Sequence, residues 1–139
     1  MTKKIFLAVI AATAAVSLLR AGDDSAVDTS KLPPPSDKKG VTYDTDIKPI
    51  FDASCVKCHN GPKAKGKLHM DSLAAIMKGS EDGVVIKPGN SAGSMLVINI
   101  AHLGDKDDYM PPPGNKANIK NLTPEQIGLI RAWIDQGAK

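Results

Sequence analysis

The feature that most restricts what this chain can fold into is the run Cys55-Val56-Lys57-Cys58-His59, which holds the only two cysteines among 139 residues. Two thiols with two residues between them have the spacing of haem c attachment, because each can reach one of the two vinyl groups of a single porphyrin. The next residue, His59, is then held beneath the ring with its imidazole directed at the iron. The run predicts one covalently bound haem per chain, with Cys55, Cys58 and His59 as its binding residues and iron as its metal.

Other uses of the cysteine pair stay open at this point. A disulfide between Cys55 and Cys58 would close so small a loop that it would restrain little of the unfolded chain. A thiol–disulfide oxidoreductase of the thioredoxin type expects a strand before the first cysteine, where this sequence predicts a helix. A structural zinc site needs four closed ligands, and His69 would have to join Cys55, Cys58 and His59.

The N-terminus predicts export. Two lysines, an apolar run from residue 5 to 19 and a small residue at position 21 form a secretory signal over residues 1–21. An uncleaved membrane tether is the alternative, although the run is short for a span of ~20 residues. The expected location is the periplasm, free or tethered to the membrane facing it. Lys3, Lys4 and Arg20 account for the excess of 18 basic over 15 acidic residues, so no basic face remains for nucleic acid.

Residues 22–40 contain proline, serine and charged side chains without helical or strand periodicity, which predicts a flexible linker. The folded domain is therefore predicted over residues 41–139. Aromatic residues make up only 4% of the chain, a scarcity that fits a core completed by a large flat cofactor. No alternating pattern is long enough for a sheet, and residues 84–86 suggest at most a short extended piece.

Four short helices are predicted in the domain. Their expected N-terminal residues are Thr45 or Asp46, Asp71 or Ser72, Ser91, and Thr123. The last helix has the clearest signals, since Thr123 can cap it, Pro124 occupies the first helical position and Gln126 completes a capping box. Apolar residues then recur at helical spacing up to Trp133, whose expected role is packing.

A low-spin haem needs a second axial ligand, and six residues carry a suitable imidazole or thioether: His69, Met70, Met77, Met95, His102 and Met110. Met77 and Met95 lie on apolar helix faces and are predicted to be core residues. His69 and Met70 follow the attachment motif closely and are expected on its own side of the haem.

Met110 and His102 remain as candidates for the distal position. Met110 precedes three prolines, which fix φ and stiffen the loop that carries it. A thioether held there would favour ferrous iron relative to a second imidazole. The alternative for Met110 is an apolar side chain that fills a gap beneath the proline turn, and His102 is the rival ligand near the end of the third helix.

The order and spacing of several segments resemble the planctomycete-type cytochrome c domain over about residues 43–139. The segments are 46–51, 55–59, 65–72, 85–89, 94–96, 110–112 and 133–138. The resemblance implies an all-α cytochrome c-type fold, with about four short helices around the haem and with crossing N- and C-terminal helices. It also implies Met110 as the distal ligand. His69 stands where the family usually has arginine, which leaves a propionate contact at this position open.

The expected function is that of a monohaem c-type cytochrome, a one-electron carrier between redox protein partners. The sequence offers no second group of catalytic residues, so the prediction is a carrier and not an enzyme. The alternative is a haem sensor or peroxidase-like protein with a labile sixth ligand. Lys57, Lys63, Lys65 and Lys67 surround the attachment motif, either as a solvated loop or as a basic rim that steers an acidic partner.

Overall fold

The computed structural model describes residues 27–139, so the predicted signal at 1–21 and the start of the predicted linker lie outside the described residues. Within that range the chain contains four α-helices and no strand, only an isolated bridge between Ser80 and Gly83. The helices are α1 (Lys48–Ser54), α2 (Leu73–Lys78), α3 (Met95–Ile100) and α4 (Pro124–Asp135). The predicted all-α class is confirmed. No helix of residues 27–139 is long and apolar enough to cross a membrane.

Helix α1 leads directly into the cysteine motif. A π-helical turn, Tyr43–Ile47, precedes it, so the regular helix begins slightly later than the predicted start at Thr45 or Asp46. Pro49 lies in the first turn, where its missing N–H costs nothing. Phe51 is fully buried, and its carbonyl accepts a hydrogen bond from the Cys55 amide at 2.8 Å. The end of α1 therefore fixes where the first thiol lies.

Helix α4 has the predicted capping box. The Thr123 hydroxyl accepts from the Gln126 amide at 3.3 Å, and the Gln126 side-chain oxygen accepts from the Thr123 amide at 2.9 Å. Pro124 is at the first helical position as predicted. These signals involve residues at most three apart, so the sequence alone determines where the helix starts.

The first and last helices meet through three aromatic rings. Trp133 of α4 is fully buried, with its ring centroid 6.2 Å from that of Phe51 on α1 and 6.0 Å from that of Tyr43. The Trp133 indole N–H donates to the carbonyl of Lys139 at 2.9 Å. Its role is therefore packing between the terminal helices, as expected.

The predicted cap of the third helix is wrong. Ser94 and not Ser91 is the N-cap of α3. Ser91 is 1% exposed and binds the carboxylate of Asp135 on α4 twice, through its amide at 2.8 Å and its hydroxyl at 2.9 Å. A carboxylate is a stronger hydrogen-bond partner than the neutral backbone amides at the start of a helix. Ser91 therefore binds Asp135 of α4 and does not cap α3.

The predicted flexible linker over 22–40 needs a correction in its described part, residues 27–40, which we call the strap. The strap lies along α4 and does not run free of it. Leu32 is 7% exposed and belongs to the core. The Ser36 amide donates to the Gly128 carbonyl at 2.9 Å, and the Arg131 guanidinium donates to the Pro33 carbonyl. Gly128 provides the reason, because its missing side chain lets the strap backbone approach the helix.

Candidate functional site

A cavity of about 370 Å³ opens between the end of α1, helix α3 and the loop before α4. Its wall is largely apolar and includes Phe51, Leu68, Leu96, Ile100 and Leu122. Four side chains with predicted cofactor roles line this same cavity: Cys55, Cys58, His59 and Met110. The structure therefore brings together residues that lie up to 55 positions apart in the sequence.

The two cysteines lie on a tight turn that continues α1. The amides of Cys58 and His59 both donate to the Cys55 carbonyl at 3.0 Å. Both side chains are free thiols. Burial, with a smaller effect of nearby Cys58, raises the pKa of the Cys55 thiol to about 12. Cys55 is therefore a neutral thiol at physiological pH.

The His59 ring is held in one orientation. It is 9% exposed, and its Nδ1 lies 3.2 Å from the Lys65 carbonyl oxygen. Since a carbonyl can only accept, Nδ1 carries the hydrogen and Nε2 keeps its lone pair. Burial lowers the pKa of His59, against the opposing effect of hydrogen bonds to the Lys65 and Leu68 carbonyls. The imidazole is thus kept in the neutral form that binds metals.

Met110 reaches the cavity from the loop that follows α3. Its amide donates to the carbonyl of Asn99 at 3.1 Å, which ties this loop to the helix. Pro111 is buried beside it, and both Pro111 and Pro112 line the cavity. The thioether is therefore carried by a loop whose backbone is fixed on the cavity wall.

The other candidate ligands are placed differently. His102 is outside the cavity lining, and its ring stacks on Tyr109 with centroids 4.6 Å apart and planes at 10°. Met95 lines the cavity and is 50% exposed, so its prediction as a core residue is wrong. Met77 is half-buried against the core, as predicted. His69 is half-buried and is not part of the cavity lining.

Several polar residues of the cavity wall were missed by sequence reasoning, among them Asn99 and Asn115. Asn115 lies in an irregular loop, where no periodicity indicates which side chains face inwards. Among residues 27–139 no group of three or more His, Cys, Asp or Glu side chains is arranged to hold a metal ion.

The donor set fits haem c. Two adjacent thiols, a neutral imidazole with an available Nε2 and a thioether share an apolar cavity, which is the environment that a covalently attached porphyrin requires. With the helical fold, these features define a cytochrome c-type domain.

Comparisons with known proteins agree with this class. Residues 55–114 match the family described as planctomycete cytochrome C, which confirms the resemblance seen in the sequence. The chain is 26% identical over 126 residues to hydrazine synthase subunit alpha of Kuenenia stuttgartiensis, an alignment that covers 73% of this chain and 16% of that protein. The chain thus spans a small part of the curated relative that it matches. No solved structure matches the chain. Together the comparisons support a haem-binding cytochrome.

Proposed function

We propose that this protein is an exported monohaem cytochrome c that carries single electrons. Cys55 and Cys58 bind the haem through two thioether bonds, and His59 and Met110 are the axial ligands of the iron. The observation that carries the proposal is that all four side chains line one apolar cavity. The bound haem supplies the exchange between ferric and ferrous iron, with no bond made to a substrate.

The protein's own residues prepare the site for this chemistry. The Lys65 carbonyl fixes the tautomer of His59, so that Nε2 is the atom presented to iron. The thioether of Met110 is a soft neutral ligand that favours the ferrous state and raises the reduction potential. The apolar wall, represented by Phe51 and Leu96, excludes water and disfavours the extra charge of ferric iron.

The proposed partners are redox proteins that approach the attachment loop. Lys57, Lys63, Lys65 and Lys67 are all exposed. Lys67 forms an ion pair with Glu81 at 3.1 Å, and Lys65 lies on the cavity wall. The proposed basic rim therefore rests mainly on Lys57, Lys63 and Lys65, which would steer an acidic partner towards the cavity. The N-terminal signal supports a periplasmic location, free or membrane-tethered.

A second candidate is a haem domain that works within an enzyme. It is favoured by the similarity to hydrazine synthase subunit alpha, a subunit of an enzyme. In that case the sixth position would exchange ligands, and Met110 would not hold it permanently. The two candidates share Cys55, Cys58 and His59 and differ in the spectrum of the ferric protein.

The test is to express the protein with haem-maturation machinery and to record its mass and ferric absorption spectrum. The carrier predicts one added haem mass, a low-spin spectrum and the long-wavelength band of sulfur–iron ligation. Met110→Ala should keep the covalent haem and lose this band. Met95→Leu is the matched control, because it also removes a thioether from the cavity wall and should keep the band.

The outcomes separate the candidates. A high-spin ferric spectrum of the wild type would favour the enzyme domain or a sensor. If Met110→Ala keeps the sulfur–iron band, the ligand is another thioether of the cavity wall, that of Met70 or Met95. A low-spin wild type without the band would instead indicate an imidazole ligand, which His102→Phe would test. Absence of any added haem mass would refute both candidates and leave a dithiol protein.

A further inference from the structure

The loop that carries Met110 is closed by a single side chain, that of Asn115. Its Nδ2 donates to two carbonyls, that of Pro112 at 3.1 Å and that of Ile119 at 2.9 Å. Its Oδ1 accepts from the Ile119 amide at 2.9 Å. A primary amide has two donor hydrogens, and both are used here. Asn115 therefore joins the two sides of the loop while it also lines the cavity.

The chain that leads up to Met110 is held in place by contacts that do not involve Asn115. The Met110 amide donates to the Asn99 carbonyl of α3 at 3.1 Å, and the ring of Tyr109 stacks on that of His102. These contacts hold the chain up to Met110 against α3 and the turn that follows it. They do not reach the segment after Pro112. There two backbone hydrogen bonds form tight turns, from the Asn115 amide to the Pro112 carbonyl at 3.2 Å and from the Asn118 amide to the Asn115 carbonyl at 3.1 Å. Among the described residues, only the side chain of Asn115 joins Pro112 to Ile119.

We propose that Asn115 is a positioning residue for the thioether of Met110. This inference rests on the proposed function, since it assumes that Met110 is the axial ligand. Asn115 holds Pro112 in place, and with it the loop that lines the cavity next to Met110. These three hydrogen bonds lie within the loop and fix its backbone, so the thioether loses little conformational freedom on binding the iron.

Asparagine is the residue type that this geometry requires. Aspartate has nearly the same shape and keeps the acceptor for the Ile119 amide, but it has no hydrogens for the carbonyls of Pro112 and Ile119. Its carboxylate would face two carbonyl oxygens and would push the loop apart. Asn115→Asp thus removes the two donated hydrogen bonds and keeps the side-chain volume. Asn115→Ala removes both the hydrogen bonds and the volume.

The experiment uses the haem-loaded full chain and compares wild type, Asn115→Ala, Asn115→Asp and the control Asn121→Ala. Asn121 is exposed and has no side-chain hydrogen bond among those described. Two readouts are taken on the ferric protein: the sulfur–iron band and the dissociation constant of added imidazole, which must displace the thioether. Helix content from circular dichroism and the bound haem mass confirm that each variant is folded and loaded.

Both Asn115 variants should weaken the sulfur–iron band. The apparent dissociation constant of imidazole should fall about tenfold, equivalent to about 1.4 kcal/mol, because a loosened loop leaves the iron open for a larger fraction of the time. Asn121→Ala should behave as wild type. If Asn115→Ala fails to load haem, the folded Asn115→Asp variant decides the result by the same two readouts.

Two outcomes would overturn the inference in distinguishable ways. If Met110→Ala abolishes the band and the folded Asn115 variants keep wild-type band and imidazole affinity, only the positioning role is refuted. If Met110→Ala itself leaves the band unchanged, the axial assignment fails and the positioning role fails with it.

Discussion

Replacing Gly128 by alanine tests whether the strap is part of the folded domain. Gly128 lies inside α4, where alanine is favoured over glycine by about 1 kcal/mol. A free linker over residues 27–40 would therefore predict a more stable Gly128→Ala protein. In the structure, however, an alanine Cβ would lie 2.6 Å from the backbone carbonyl oxygen of Pro34. A strap packed against α4 therefore predicts that Gly128→Ala destabilises the protein.

The magnitude follows from the contacts that the displaced strap would lose. The hydrogen bond from Ser36 to the Gly128 carbonyl contributes ~1 kcal/mol, the donation from Arg131 to Pro33 ~1.5 kcal/mol and the burial of Leu32 ~2 kcal/mol. The freed strap regains conformational entropy, and the alanine adds helix propensity. The expected net destabilisation is about 2 kcal/mol.

The assay is urea unfolding of the haem-loaded protein, in which this loss lowers the midpoint by ~1 M. The same substitution is made in a variant lacking residues 27–36, where Gly128 no longer faces the strap. There Gly128→Ala should stabilise by about 1 kcal/mol, so the effect changes sign between the two backgrounds. A stabilised Gly128→Ala protein with the strap present would refute the docked arrangement.

Two further substitutions and one chemical modification test other parts of the structure. Ser91→Ala should lower the free energy of unfolding in urea by ~2 kcal/mol, because it leaves the carboxylate of Asp135 without a buried hydroxyl donor. Trp133→Ala should cost ~4 kcal/mol in the same assay, since the fully buried indole joins the terminal helices. In chain made without haem, iodoacetamide should modify Cys58 before Cys55, as judged by peptide mass. The reason is that Cys55 is buried and its pKa of about 12 leaves little thiolate at pH 8. Raising the pH towards 12 should increase the rate at Cys55.

Features that depend on neighbouring residues were predictable from the sequence. The capping box of α4 requires only Thr123 and Gln126, which are three positions apart, and no distant group competes for them. The cysteine motif, residues 55–59, is similar, because the turn that follows α1 places Cys55, Cys58 and His59 on one cavity wall through local backbone hydrogen bonds. The all-α class was implied by the family resemblance and agreed with the four predicted helices and the lack of a strand pattern.

Features decided by contacts between distant segments were not predictable. Ser91 has the local signals of an N-cap, but Asp135, 44 residues away, provides a better partner. The strap has the composition of a linker, yet Gly128 removes the side chain that would keep it off α4. In each case the deciding group lies on another element and changes nothing in the local pattern. The π-helical turn Tyr43–Ile47 had no sequence signal that we can identify.

The choice of distal ligand shows how the two kinds of information combine. Three thioethers line the cavity, those of Met70, Met95 and Met110, so position alone does not separate them. The Met70 amide donates to the His59 carbonyl at 2.8 Å, which ties Met70 to the cysteine motif on the proximal side. Met95 begins α3 with an exposed side chain, whereas Met110 is fixed through its amide to Asn99 and is followed by buried Pro111. A half-buried thioether on a loop held by hydrogen bonds gives up less side-chain entropy when it binds iron than a more exposed thioether. The stiff proline loop seen in the sequence and the hydrogen bonds seen only in the structure therefore favour the same sulfur.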